Sequence, residues 1–299
     1  MTIQWFPGHM TKAKRMVQEN LRRVDIVLEL LDARVPAASR NPLLGELTEG
    51  KPRLILLNKS DLASPKETDR WVNYFRSRQQ VQAMPIEAMR EQGVKKIQGA
   101  VRKVVDQHRK DNGQRPLDRR YRAMVVGIPN VGKSSLINRL AMRKIARTGD
   151  EPAVTRKAQW VKMSKEMELL DMPGILWHKF EDQRVGAYLA ATGAIKDSIL
   201  DIHGISCFAV ETLSQSSPED LKARYKLKEL DEDPRQVVED IGRKRGCLRP
   251  GGIVDTEKAA ELILRELRGG KLGRITLQTV AAYEEEQRAL CDEDHAENS

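Results

Sequence analysis

From residue 24 to residue 170 the chain alternates short apolar runs with amphipathic stretches. Residues 24–31 and 53–57 are near-continuous apolar runs of strand length, the pattern of strands buried on both faces of a sheet. Runs at 81–88 and 121–126 read the same way, and 159–163 with 167–170 predict a hairpin-like strand pair. Between them the apolar spacing becomes helical. A helix over 11–23 turns Met16, Val17 and Leu21 inward and Lys12, Lys14, Arg15, Arg22 and Arg23 outward. Others are predicted near 43–47, over 65–79 with Ser64-Pro65 as a capped start, and over 92–108. Residues 109–120 are polar, with Gly113 and Pro116, and read as a linker; 143–157 read as a loop. Alternation of this kind predicts a doubly wound α/β sheet.

Beyond residue 178 the strand signal ends. Helices are predicted over 184–197, 218–229, 234–245 and 256–268, the last stopped by Gly269-Gly270. The final sixteen residues are acidic and read as a frayed tail. The expected organisation is an α/β domain over 1–178, led by an arm of residues 1–10, and a smaller all-helical domain over 179–299. No internal repeat is visible.

One stretch carries the most specific chemistry. Gly127-Ile128-Pro129-Asn130-Val131-Gly132-Lys133-Ser134-Ser135 follows the 121–126 strand and leads into a helix with Leu136, Ile137 and Leu140 on one face. This is the strand–loop–helix setting of a phosphate-binding loop. Its glycines let backbone N–H groups wrap a phosphate chain, and the helix N-terminus adds partial positive charge. Lys133 is placed to reach the β- and γ-phosphates and Ser134 to ligate Mg²⁺, with Asn130, Val131, Gly132 and Ser135 completing the cradle.

Charge adds a second partner. The chain carries 52 Lys and Arg against 43 Asp and Glu, a net of +9, unevenly spread. Residues 1–178 hold 34 basic and 19 acidic residues, a net of +15; residues 179–299 hold 18 and 24, a net of −6. A nucleotide needs one or two cations, so the excess beside the phosphate loop points to nucleic acid. No apolar run approaches the roughly 18 residues of a membrane span. Cys207, Cys247 and Cys291 are odd in number and form no metal-binding spacing, as in a reducing cytosol.

The 53–57 run delivers Asn58-Lys59-Ser60-Asp61 at its carboxyl end, where open α/β sheets bind ligands. The Asp61 carboxylate can accept from guanine N1–H and N2–H₂, a donor pair that adenine lacks. The Asn58 amide can meet the N7 and O6 side, and the Lys59 stem can lie on the base. This disfavours an ATP-dependent phosphoryl-transfer enzyme. The second strand of the hairpin-like pair ends in Asp171-Met172-Pro173-Gly174. There Asp171 suits a water-mediated Mg²⁺ contact and Gly174 can offer its N–H to a γ-phosphate.

The order of these parts is unusual. Guanine-nucleotide switches place the phosphate loop first and Asn-Lys-x-Asp last. Here Asn58–Asp61 precedes the phosphate loop, Thr155 and Asp171, a rotation that a linker between neighbouring termini permits. This order, with Gln4-Trp5-Phe6-Pro7-Gly8-His9-Met10 and Thr192-Gly193-Ala194-Ile195-Lys196-Asp197, resembles the circularly permuted ribosome-assembly GTPases of the YlqF/RbgA type. The resemblance spans essentially the whole chain. It implies a cytoplasmic, monomeric GTPase that binds GTP and GDP, uses Mg²⁺ through Ser134, Thr155 and Asp171, and contacts rRNA in late maturation of the large ribosomal subunit. By analogy it implies K⁺ at Asn130 and a base contact at Ala88. Pro152-Ala153-Val154-Thr155-Arg156 departs from the usual Pro-Gly-x-Thr-Lys, and Glu87-Ala88 from the usual Ser-Ala. Ile175 stands where many GTPases place a water-orienting Gln, and His9 is the replacement the resemblance offers. An rRNA-binding scaffold that holds GTP as a structural ligand, with little hydrolysis, is the alternative.

Overall fold

The computed structural model describes residues 8–88, 93–141, 158–174 and 182–297. Six strands form one sheet in the order β3-β2-β1-β4-β6-β5. They are β1 (Ile26–Asp32), β2 (Arg53–Asn58), β3 (Gln82–Pro85), β4 (Tyr121–Val126), β5 (Gln159–Lys162) and β6 (Met167–Asp171). All neighbours are parallel except the edge strand β5, which runs antiparallel to β6. β1 is buried along its whole length, which accounts for its unbroken apolar run. Its exceptions are Glu29 and the terminal Asp32, both buried carboxylates.

The helices of the first half are α1 (Gly8–Leu21), α2 (Pro42–Leu47), α3 (Pro65–Arg78), α4 (Ile97–Asp111) and α5 (Lys133–Leu140). One sheet face packs under α1 and α2 through Val17, Leu44, Val27, Met124 and Leu170, and under α3 through Trp71, Phe75, Ile55 and Leu57. The other face presents Leu28, Leu30, Leu56 and Val125 to α4 and α5, and this core continues into the helical half. That half contains α6 (Gln183–Ala191), α7 (Ile202–Ser216), α8 (Pro218–Tyr225), α9 (Pro234–Lys244), α10 (Thr256–Arg268) and α11 (Val280–Glu297). Among the described residues no helix is long and apolar enough to cross a membrane.

Several expectations are corrected. Helix α1 begins at Gly8, so residues 8–10 are its first turn and not part of an arm. Strand β3 stops at Pro85, short of the expected residue 88; the Ile86 N–H still donates to the Leu57 carbonyl at 2.9 Å, and the Ala88 N–H then turns to the Asn58 side chain. Gly93 at φ 78° starts a 3₁₀ turn, Val94–Lys96, and α4 then runs to Asp111, shortening the linker. Helix α7 is not predicted by periodicity because it lies at the centre of the helical half, touching α6, α8, α9 and α10. A helix buried on several sides has too little polar face to generate a pattern. The expected frayed tail is helix α11. It is held by Tyr283 against Trp71 and Tyr74, with ring centroids 5.4 and 5.8 Å apart, and by Arg184–Glu286 at 3.0 Å.

Candidate nucleotide site

The phosphate loop leaves the carboxyl end of β4 and enters α5. Two of its glycines are dictated by space. A Cβ on Gly127 would lie 2.6 Å from the Leu30 carbonyl on neighbouring β1, and one on Gly132 would lie 2.3 Å from Asn58 Nδ2. Both have positive φ, 152° and 102°. Asn130 also adopts the left-handed conformation, at φ 55°, and its Nδ2 donates to the Gly193 carbonyl at 3.0 Å. Ser134 and Ser135 lie half-buried in the first turn of α5.

Lys133 is buried at 7% exposure. Its ammonium donates to the loop's own carbonyls, Ile128 at 2.7 Å and Gly127 at 3.0 Å. Burial pushes this lysine down to about 8, with the nearby Asp171 carboxylate opposing the shift. Asp171 closes β6 beside the loop, in register with Val125 of β4. Gly174 stands against the loop's far wall; a Cβ there would lie 3.0 Å from both Lys133 Nζ and the Pro129 backbone. The loop, Asp171 and Gly174 therefore lie together.

The base motif joins this assembly through a contact with no sequence signature. Asn58 Nδ2 donates to the Val131 carbonyl at 2.7 Å, and Asn58 Oδ1 accepts from the Ala88 N–H at 2.9 Å. One buried amide thus ties the phosphate loop, the base motif and the turn after β3. Sequence reasoning gave Asn58 a base contact; in the structure its amide is first a brace.

Lys59 holds a left-handed conformation, φ 59°, and its Nζ lies 3.0 Å from Asp32 Oδ2. Asp32 is in turn gripped by Arg34, whose Nε and Nη2 donate to its two oxygens at 2.9 and 2.7 Å. All of Arg34 is buried. Burial alone would raise the Asp32 carboxyl, but Arg34 and Lys59 outweigh it and hold the group well below the usual carboxylate range. Burial pushes Lys59 down, with Asp32 opposing. Asp32 and Arg34 belong to a stretch that sequence analysis read only as a turn. Asp61, two residues on from Lys59, is half-buried.

The backbone of His9 lies in the first turn of α1, but its side chain falls outside the described residues, as do Thr155 and Ile175. Among the described residues no cluster of three or more His, Cys, Asp or Glu forms a metal site.

A parallel sheet bearing a glycine loop at one strand end and Asn-Lys-x-Asp at another, in permuted order, defines a P-loop GTPase. Residues 122–240 match the family model described as 50S ribosome-binding GTPase. Ribosome biogenesis GTPase A of Bacillus cereus is 51% identical over 290 residues, covering 96% of this chain and 97% of that protein. The Thermotoga maritima protein of the same name is 32% identical over 92% of this chain and 94% of its own. A GDP-bound structure of TM YlqF superposes with a TM-score of 0.62 at 28% identity, covering 89% of this chain and 99% of that one. The chain belongs to the ribosome biogenesis GTPase A family, GTP-hydrolysing ribosome assembly factors.

Proposed function

We propose that this GTPase acts in late maturation of the large ribosomal subunit, contacting rRNA and turning over GTP faster when the subunit is present. The observation that carries the nucleotide half is the Asn58 brace, which holds the base motif and the phosphate loop as one site. The +15 charge of residues 1–178 supports the RNA half. So do the exposed Arg23 and Arg122 at the sheet edge, whose guanidiniums each lie 5.5 Å from the centroid of the half-buried Trp160 ring, with Arg122 also paired to Glu168. We assign the nucleotide site to residues 1–178 and a helical unit to 179–299, in a cytosolic monomer.

In this reading Asp61, Lys59 and Ala88 hold the guanine edge and face. Lys133 exchanges the Gly127 and Ile128 carbonyls for the β- and γ-phosphates. Gly174 directs its N–H to the γ-phosphate. The oxygen donors of Ser134, Thr155 and Asp171 suit Mg²⁺, a hard cation, and Asp171 already borders Lys133. When bound, Mg²⁺ offsets charge on the β- and γ-oxygens. Asn130 is assigned K⁺, its amide nitrogen oriented by Gly193. His9 orients the attacking water or offsets transition-state charge.

The test is GTP turnover with and without large subunits, for wild type and His9→Ala. The wild type is expected to be slow alone and faster on the subunit. His9→Ala is expected to keep its nucleotide affinity and to lose at least about tenfold of the stimulated kcat, a floor below the ~10²–10⁴-fold of typical acid–base groups because other groups can share the task. A wild-type stimulated rate with normal subunit binding removes His9 from catalysis. Loss of subunit binding in proportion to activity makes it a docking contact.

A further inference from the structure

The segment following α10 runs across the base motif and is bonded to it along its length. Arg274 Nη2 donates to the Ser60 carbonyl at 2.8 Å, and its Nε to the Ala63 carbonyl at 3.1 Å. The Ile275 N–H donates to the Leu62 carbonyl at 2.8 Å. The Ser64 N–H donates to Thr276 Oγ1 at 3.2 Å. Three carbonyls flanking Asp61 are therefore held from one side by two successive residues.

The strap itself is firmly seated. The Leu277 and Gln278 N–H groups both donate to the Arg34 carbonyl, at 2.9 and 3.2 Å. Gln278 Oε1 accepts from the Ala38 N–H at 2.8 Å, and its carbonyl accepts from Trp71 Nε1 at 2.8 Å. Ile275, Thr276, Leu277 and Gln278 are all buried. The loop has reason to need such support. Lys59 sits at φ 59°, a conformation that a non-glycine residue keeps only when its surroundings impose it.

We propose that Arg274 is a positioning residue for guanine recognition. Its planar fork bridges two carbonyls three residues apart, which fixes the turn that carries Asp61 and so the placement of the carboxylate. The base motif is then set partly by the C-terminal half of the chain. Any partner that shifts the strap changes nucleotide affinity, and by linkage the nucleotide changes affinity for that partner. This rests on the reading of Asp61 as the guanine-binding carboxylate.

The experiment measures GDP and inosine diphosphate (IDP) affinity in the full-length chain. IDP lacks the 2-amino group, so the GDP/IDP ratio reports the carboxylate–N2 bond. Arg274→Ala is expected to weaken GDP about five- to tenfold, less than the outright loss of one charged hydrogen bond, and IDP less, so the ratio shrinks. Arg274→Lys, with one donor group in place of the fork, is expected to fall between. Equal loss for both nucleotides, with the ratio unchanged, would make Arg274 a fold-stabilising residue only and overturn the proposal. If the alanine variant does not fold, the ratio is read on Arg274→Lys and Arg274→Gln with the same criterion. Asp61→Asn is the control. If it leaves the ratio unchanged, the reading of Asp61 fails whatever Arg274 does; if it collapses the ratio while the Arg274 variants keep it, only the present inference fails.

Discussion

The two ends of the nucleotide site are built differently. At the base end the framework of the motif is held by protein partners: the Asn58 amide spans Val131 and Ala88, Lys59 meets Asp32, and Arg274 holds Ser60 and Ala63. These bonds can persist when a nucleotide binds. At the phosphate end, Lys133 directs its donors to the carbonyls of its own loop, and in the proposed reading those bonds are exchanged for phosphate oxygens. The base end is pre-organised, so in the proposed reading it selects guanine at little ordering cost. The phosphate end is satisfied provisionally, and its rearrangement is where hydrolysis can be controlled.

The largest effects should separate the ends. Lys133→Ala removes the charged donor that the proposed reading places where phosphate charge develops. A fall in kcat of about 10²–10³-fold is expected, the scale of losing one transition-state donor. Asp61→Asn acts at the other end. It should weaken GTP by about 10–150-fold, the scale of a lost charged hydrogen bond, and improve xanthosine triphosphate, while kcat at saturation changes little. Steady-state kinetics with both triphosphates check the pair. An Asp61→Asn defect confined to kcat, or equal wild-type affinity for ATP and GTP, would dissolve the contrast.

How much of this was legible in the chain follows the same division. The phosphate loop is local: its glycines, Lys133 and Ser134 lie within nine residues, and the flanking strand and helix announce themselves by period. Asn58–Asp61 is likewise a short motif at a strand end. The supports are not local. Arg34 and Thr192, Arg274 and Ser60, and Trp71 and Gln278 are separated by 158, 214 and 207 positions. Nothing in composition marks an arginine as the one that will bridge two distant carbonyls. Helix α7 exposes polar residues only toward its C-terminal end, at Glu211, Gln215 and Ser216, too few to set a period, and the acidity of α11 concealed the one ring, Tyr283, that anchors it. Ala88 and His9 came only from resemblance, and only Ala88 has a described side-chain environment.

A smaller effect tests the provisional state of Lys133. Burial places its ammonium at about 8. A bound triphosphate adds negative charge, which favours the charged form and raises this value. Binding above pH 8 therefore takes up a proton. GTP affinity should be insensitive to this group below about pH 7, then fall as pH rises past 8, by at most about tenfold per unit. Asp32, held below the usual carboxylate range, stays ionised throughout. Lys59 is also pushed down by burial, so the assignment needs Lys133→Ala. Titration calorimetry from pH 6.5 to 9.5 should lose the slope in that variant; a slope that survives belongs to the base end.

The smallest effect marks where the base end's support stops. The strap that holds the Ser60–Ala63 turn ends at Val280, and Tyr283 is the next anchor, its ring against Trp71 and Tyr74. Past Tyr283, α11 contributes Arg184–Glu286 at 3.0 Å, with Arg184 half exposed, and Arg78–Glu284 at 3.9 Å. Ion pairs this exposed typically stabilise by about 0.2–1 kcal/mol each. Removing residues 284–299 should therefore lower unfolding free energy by no more than about 2 kcal/mol and leave GDP affinity unchanged, since among the described residues no bond to the base motif is lost. Tyr283→Ala in the full-length chain should destabilise by a comparable or larger amount, because it opens a partly buried aromatic cluster worth about 0.5–1.5 kcal/mol per ring pair beyond its area. Denaturant melts and GDP titrations on the two variants give the comparison. A truncation that weakened GDP tenfold without unfolding would extend the base end's support past Tyr283 and into the acidic half of α11.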